Sequence, residues 1–295
     1  MTVLPGMEAP ERTEAELVAE AHGIIAAAQA EHQPTKTFIL YSGGNDSAVV
    51  LDVCSPFADE VVFINTGIAI PDAVTHARST ATRTGLPFRE MSPPRSYESL
   101  VMGEWDGLPG PGAHRYTYIR LKERCIEQLL RDHRCRRGER FMLLTGARKA
   151  ESKRRMGTSE TVKRRGGQVW VNPLQNWSNG AMRRYRADHA LPVNPVSTNL
   201  HMSGECMCGA MADQGEGREE REAVRFFYPE FDAYLTDLET RARQAGCKYT
   251  EWGVKRPDGA RMDPEVEGQM SLGDVDPEWS PLCQSCEFRA ERRAS

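Results

Sequence analysis

Six consecutive residues, Ser42-Gly43-Gly44-Asn45-Asp46-Ser47, stand between the apolar runs 38–41 and 48–51. A strand ending this way delivers the chain to a helix N-terminus. There the first backbone N–H groups are unpaired and carry partial positive charge. Gly43 and Gly44 let the backbone approach a ligand closely. Ser42 and Ser47 offer hydroxyl donors. Asp46 repels a phosphate, so its uses are to cap the helix, orient a neighbour or hold Mg2+. Together the six residues make a cradle for phosphate or pyrophosphate. The competing reading is a plain strand-to-helix turn capped by Asp46 or Ser47. Neither a GxxxxGKS/T loop nor a GxGxxG loop occurs in the chain.

The second set of reactive residues is sulfur. Cys206 and Cys208 flank one Met in a Gly-rich stretch, and Cys283 and Cys286 form a C-x2-C pair near the C-terminus. Two close pairs can bring four thiolates to one centre, and tetrahedral sulfur suits Zn2+ or an iron–sulfur cluster. The alternative is no metal, with packing residues or free thiols. Cys54, Cys125 and Cys135 fall in or beside expected helices and read as filler; Cys247 stays open. His76, His114, His133, His189 and His201 are spaced too widely for a ligand set and read as surface or packing residues. Trp170 and Trp177 flank VNPLQN and are expected in the core or at the domain edge.

Regular elements must hold these residues in place. Residues 11–32 are Ala-rich and amphipathic, with Leu17, Ile24, Ile25 and Ala28 toward the core, and Pro34 ends the helix. Strands are expected at 38–41, 60–65, within LPFREMSP, in RFMLL and in QVWV. Helices are expected from 46 to 54, over PDAVTHARSTATRTG and over YIRLKERCIEQLLRDHR. Strand and helix in alternation mean parallel strands joined by crossover helices. The fold class is therefore α/β, a Rossmann-like parallel sheet with helices on both faces. A ligand belongs at the carboxyl ends of its strands. Three polar or glycine-bearing segments sit at such ends: 42–47, 65–67 and 146–155. After about residue 200, Gly, Glu and Asp rise and strands fade, leaving one or two helices broken at Pro229. The expected organisation is an N-terminal helix over 1–35, a nucleotide-binding domain over 36–200 and a helical, cysteine-bearing region over 201–295.

The net charge of −4 hides an asymmetry. Residues 115–165 hold 17 Lys/Arg against 6 Asp/Glu, whereas residues 205–287 hold 9 against 19. The basic stretch suggests an anion-handling face, with a nucleic acid as the large candidate partner. Its competing reading is a solvated surface whose charges partly pair. No run of 18 apolar residues occurs, and the N-terminus lacks a basic and an apolar signal region, so the cytoplasm is the expected location.

The loop SGGNDS resembles the pyrophosphate loop of the PP-loop ATP pyrophosphatase superfamily. More narrowly, the chain resembles the phosphoadenosine phosphosulfate (PAPS) reductase family. VVFINTGIAIPD, LLTGARKAESKRR, PLQNWS and HALPVNPVSTNLHMSGECMCG match that family's segments in order, from about residue 36 to 210. The resemblance implies that residues 42–47 hold the nucleotide's phosphate or sulfate end. It implies that Asn65, Thr66 and Gly67 border the adenosine. It also implies that Gly146, Arg148, Glu151, Ser152 and Arg155 close over the anion. Arginine forks suit that role. Two positions depart from the pattern. Asn45 stands where many reductases have Lys, and Asn65 where Asp is common. Iron–sulfur relatives, including DNA-phosphorothioation members, make a 4Fe–4S cluster on Cys206, Cys208, Cys283 and Cys286 an implied cofactor, with Zn2+ as the alternative.

Sulfonucleotide reduction in this family needs a nucleophilic cysteine in a C-terminal Glu-Cys-Gly-x-His setting. This chain ends CQSCEFRAERRAS, without that pattern. The expectation is therefore an ATP pyrophosphatase, with ATP and Mg2+ at the loop and Asp46, Arg148 and Arg155 as the catalytic set. Adenylation would prepare an acceptor for sulfur supplied by a donor protein, as in nucleic-acid thiolation or DNA phosphorothioation. The alternatives are a phosphoadenylyl- or adenylyl-sulfate reductase and a non-catalytic nucleotide- or nucleic-acid-binding subunit.

Overall fold

The computed structural model describes residues 12–151, 160–212 and 218–256. Helix α1, Glu14–His32, opens on a capping box in which Thr13 and Glu16 satisfy each other's backbone N–H. The chain then alternates: β1 Lys36–Leu40, α2 Asn45–Cys54, β2 Glu60–Ile64, α3 Pro71–Ala81 and β3 Phe88–Met91. Helix α4 is continuous but uneven. It is α-helical over His114–Tyr118, π-helical over Ile119–Glu123 and α-helical again over Arg124–His133. Strands β4 Phe141–Leu144, β5 Val162–Arg165 and β6 Gln168–Val171 follow. The remaining helices are α5 Asn179–Asp188, α6 Pro195–Leu200, α7 Arg218–Phe227 and α8 Pro229–Gln244.

The six strands form one sheet in the order β3-β2-β1-β4-β6-β5. Every neighbouring pair is parallel except β5 with β6, an antiparallel hairpin at the edge. Alternation along the strands sorts the core into two faces. Ile39, Val61, Phe63, Met142, Leu144, Val169 and Val171 pack with α1, α2, α3 and α5. Phe38, Leu40, Val62, Ile64, Phe141, Leu143 and Trp170 pack with α4. Period 2 in side-chain direction explains why consecutive apolar residues serve opposite layers. The expected α/β sheet covered on both faces is thus the observed one. Trp170 and Trp177 are both buried, as are Cys54 and Cys125, while Cys135 is exposed.

A second core lies beside the first. It joins Ile68, Ile70, Tyr97, Trp105 and Leu121 to Val196, Met207, Leu235, Leu238 and Trp252. Chain from the α/β half and chain from beyond residue 200 therefore share one apolar cluster. Pro229 opens α8, so α7 and α8 are separate helices broken where expected. Among the described residues, no helix is long and apolar enough to cross a membrane.

Candidate functional site

The sheet's connections run outward in opposite directions from β1 and β4, which are neighbours. In a doubly wound sheet this switch point leaves a crevice at the strand ends. The loop after β1 carries Ser42 to Ser47, and the loop after β4 carries Gly146 and Arg148. The structure brings these two loops together.

Gly43 has φ +77, and a Cβ there would lie 3.3 Å from that of Ala77. Only glycine takes this conformation without strain. Gly44 occupies the N-cap position of α2 with extended backbone and no side-chain cap. The side chains that might have capped the helix are committed elsewhere. Ser47 Oγ donates to the Gly44 carbonyl at 2.8 Å and lies 3.0 Å from Ser42 Oγ. Gly44 N donates to Ser42 Oγ at 3.3 Å. Asp46 turns to Arg148. The first turn of α2 is therefore uncapped by any side chain, which removes the plain capped-turn reading. Asn45 Oδ1 is buried without a hydrogen-bond partner.

Arg148 is 1% exposed. Its Nε donates to Asp46 Oδ2 at 3.1 Å, and Nη2 donates to the same oxygen. Its Nη1 donates to the Trp177 carbonyl at 3.1 Å and to Asn179 Oδ1 at 3.0 Å. Such a fork fixes the Asp46 carboxylate through two nitrogens, which a lysine cannot do. Asp46 Oδ1 has no hydrogen bond among the described residues. Gly146 lets β4 approach α2, since a Cβ there would stand 3.5 Å from Ser47 N.

Asn194 is the residue that motif reading left without a role. It is fully buried, and its Nδ2 donates to the Gly43 carbonyl at 2.9 Å and to the Ser203 carbonyl at 2.8 Å. Its Oδ1 accepts from Val196 N at 2.9 Å. The LPVNP stretch thus pins the glycine loop from behind. An asparagine directly before a helix-opening Pro195 was the available signal.

The turn at 65–67 divides its work. Asn65 Nδ2 donates to Glu90 Oε1 at 2.8 Å, and Asn65 Oδ1 accepts from Gly67 N at 3.1 Å. Arg78 forks onto both oxygens of Glu90, which holds that carboxyl below its ordinary value. A carboxylate stands one strand away from position 65, so an amide there avoids like-charge repulsion. Thr66 is fully buried and donates to the Glu205 carbonyl at 2.7 Å. Met207 N donates to the Ile68 carbonyl at 2.7 Å. The cysteine turn is therefore laid along the segment after β2.

Cys206 and Cys208 line one cleft with His114, Lys122, Ser203 and Glu205. Lys122 Nζ lies 2.8 Å from Glu205 Oε1, and both residues are buried. The hydrogen bond to Cys208, then burial, hold the Cys206 thiol well above its ordinary value, and Lys122 opposes them. Two adjacent soft donors beside a cation suit a thiolate-bound metal. Among the described residues, no third His, Cys, Asp or Glu joins them as a ligand group. Cys283 and Cys286 lie outside the described residues, as do Ser152, Arg155 and the side chain of Glu151. Much of the basic stretch is paired internally: Arg120 with Glu104, Arg124 with Glu127, Arg165 with Glu123 and Lys122 with Glu205.

The model of the phosphoadenosine phosphosulfate reductase domain family matches residues 36–208. A phosphoadenosine 5'-phosphosulfate reductase of Xylella fastidiosa (strain M23) is 27% identical over 173 residues, spanning 56% of this chain and 69% of that protein. Among solved structures, the PAPS reductase of Candida auris in its phosphate complex overlaps with a TM-score of 0.45 at 16% identity. That overlap covers 65% of this chain and 94% of the other. The tRNA thiolase NcsA from Methanococcus maripaludis, with its 4Fe-4S cluster, gives 0.41 at 12% identity over 77% of this chain and 79% of its own.

Proposed function

This chain belongs to the phosphoadenosine phosphosulfate reductase domain family, and on that premise we propose that it binds ATP at residues 42–47 and splits it to AMP and pyrophosphate while adenylating an acceptor. The observation that carries this reading is the uncapped first turn of α2 behind a left-handed Gly43. Uncapped N–H groups and two serine hydroxyls offer neutral donors to pyrophosphate oxygens.

In the proposed reaction an acceptor oxygen attacks the α-phosphorus. The new O–P bond forms as the bond to the β-phosphate oxygen breaks, and pyrophosphate leaves with the electron pair. Arg148 does not reach the ligand in this scheme. It works through Asp46, whose free Oδ1 is the oxygen that would hold Mg2+. Mg2+ there would spread charge on the phosphates. Arg155, Glu151 and Ser152 remain proposed anion contacts on the strength of the family pattern. A sulfur nucleophile from a donor protein would then displace AMP from the adenylated acceptor, a nucleic acid in the favoured version. Cys206 and Cys208, with Cys283 and Cys286, would hold a 4Fe–4S cluster or Zn2+, which would supply a site for sulfur. Cytoplasmic location belongs to the same proposal.

The family match gives sulfonucleotide reduction a claim of its own. One assay separates the readings. Purified protein is given ATP with Mg2+, or PAPS with a thiol reductant. AMP and pyrophosphate from ATP, abolished in Asp46→Ala, support the proposal. Sulfite from PAPS with no turnover of ATP would replace it.

A further inference from the structure

The loop has no cation of its own. Residues 42–47 offer one carboxylate and no positive side chain, and Arg148 is buried and spent on Asp46, Trp177 and Asn179. A bound polyphosphate therefore needs a positive group from another element.

Helix α5 supplies one. It runs along α2 and touches it at both ends of the contact. Asn179 at its start receives Arg148, and Tyr185 Oη donates to Asp52 Oδ2 at 2.7 Å. Ala181, Met182 and Tyr185 bury its inner side. Arg186 follows Met182 by four residues, so it stands over the same side of the helix. It is half-buried, and it has no hydrogen bond or ion pair among the described residues. Withdrawing a guanidinium from water without a partner is costly, and such a group gains most from an incoming anion.

Arg186 also shares an electrostatic field with the loop. Burial presses its pKa below the ordinary arginine value. Asp46 draws it up, while Arg148 and Arg183 press it further down. Three guanidinium groups thus gather around one carboxylate, and the surplus charge is positive.

We propose that Arg186 is the cation that meets the terminal phosphates of a nucleotide bound at residues 42–47, with Arg148 as the positioning residue for Asp46. The inference rests on the ATP reading above and names the side chain that reads its anionic end. Its partner is a pyrophosphate or polyphosphate group, bound by a guanidinium fork.

The test is isothermal titration with three probes: inorganic pyrophosphate, ATP with Mg2+, and adenosine. Arg186→Ala is expected to weaken pyrophosphate and ATP roughly ten- to a hundred-fold, the loss of charge-assisted hydrogen bonds. Adenosine affinity should be unchanged, which a merely structural role for Arg186 would not give. Arg186→Lys should recover part of the loss. Arg186→Met keeps a long side chain in the half-buried position and should bind as weakly as the alanine variant if charge is the cause. Pyrophosphate binding by Arg186→Met at wild-type strength would overturn the assignment and leave the ATP reading intact. Wild-type protein that binds neither ATP nor pyrophosphate would overturn both.

Discussion

Asn194 uses both ends of its amide to hold the glycine loop, and it is the residue whose loss should be felt most widely. Asn194→Ala removes two donated hydrogen bonds and one accepted one, all in buried surroundings. Urea unfolding should show a loss of about 2–4 kcal/mol, and pyrophosphate affinity should fall with it. A loss below that range with normal binding would mean that the loop stands without Asn194. The glycines give a second comparison. Gly43 and Gly67 both have positive φ, yet only Gly43 has a neighbour against its α-carbon. Gly67→Ala should cost about 1–2 kcal/mol from backbone strain alone. Gly43→Ala should cost more and also weaken pyrophosphate binding; equal effects in unfolding and binding assays would contradict the cradle. The sequence marks Gly43, Gly44, Asp46 and Arg148 as a group, because their types and order are distinctive. It could not show that Arg148 faces inward, since a Gly-x-Arg motif reads the same whether its guanidinium is free or buried. Asn194 was hidden for a related reason: an Asn-Pro dipeptide announces a turn and says nothing of what the amide grips.

At the scale of elements, apolar runs made β1, β2, β4 and β6 legible, and alternation within them sorts the two layers. Strand β5 was not legible. Its residues VKRR are polar on an edge strand, where burial leaves no apolar signature, although Gly166-Gly167 marks its hairpin. The π stretch in α4 was equally hidden, because one extra residue per turn barely disturbs an apolar period. The far end of the sheet carries a pH prediction. Glu60 is buried at the start of β2 and accepts from Lys36 at 2.7 Å and Arg89 at 2.6 Å. Burial alone would push its carboxyl up, but those two hydrogen bonds outweigh burial and leave it below the ordinary 4.5. A lowered carboxyl pKa stabilises the fold above the unfolded value, and the gain disappears as pH falls through the folded value. Wild type should therefore exceed Glu60→Gln in stability at neutral pH. The gap should close as pH drops from about 4.5 downward. A gap that is constant from pH 7 to pH 3 in denaturant titrations would contradict the ion-pair account.

At the scale of the whole molecule, two apolar cores share the chain, and residues 194–208 run between their sites. Asn194 holds Gly43 and Ser203, and the chain then reaches Glu205, Cys206 and Cys208. The nucleotide loop and the thiols are thus joined by one short segment, as a coupling of adenylation to sulfur chemistry requires. The proposed metal centre is checked by anaerobic purification with iron, zinc and acid-labile sulfide determined. Iron and sulfide should be present in the wild type and lost in the Cys206→Ser/Cys208→Ser variant. A colourless, iron-free and fully active protein would end the cluster proposal. The central claim is cleavage between the α- and β-phosphates of ATP. Labelled pyrophosphate added with ATP, Mg2+ and the protein should exchange into ATP, and the exchange should vanish in Asp46→Ala. Release of ADP and phosphate without exchange would contradict it.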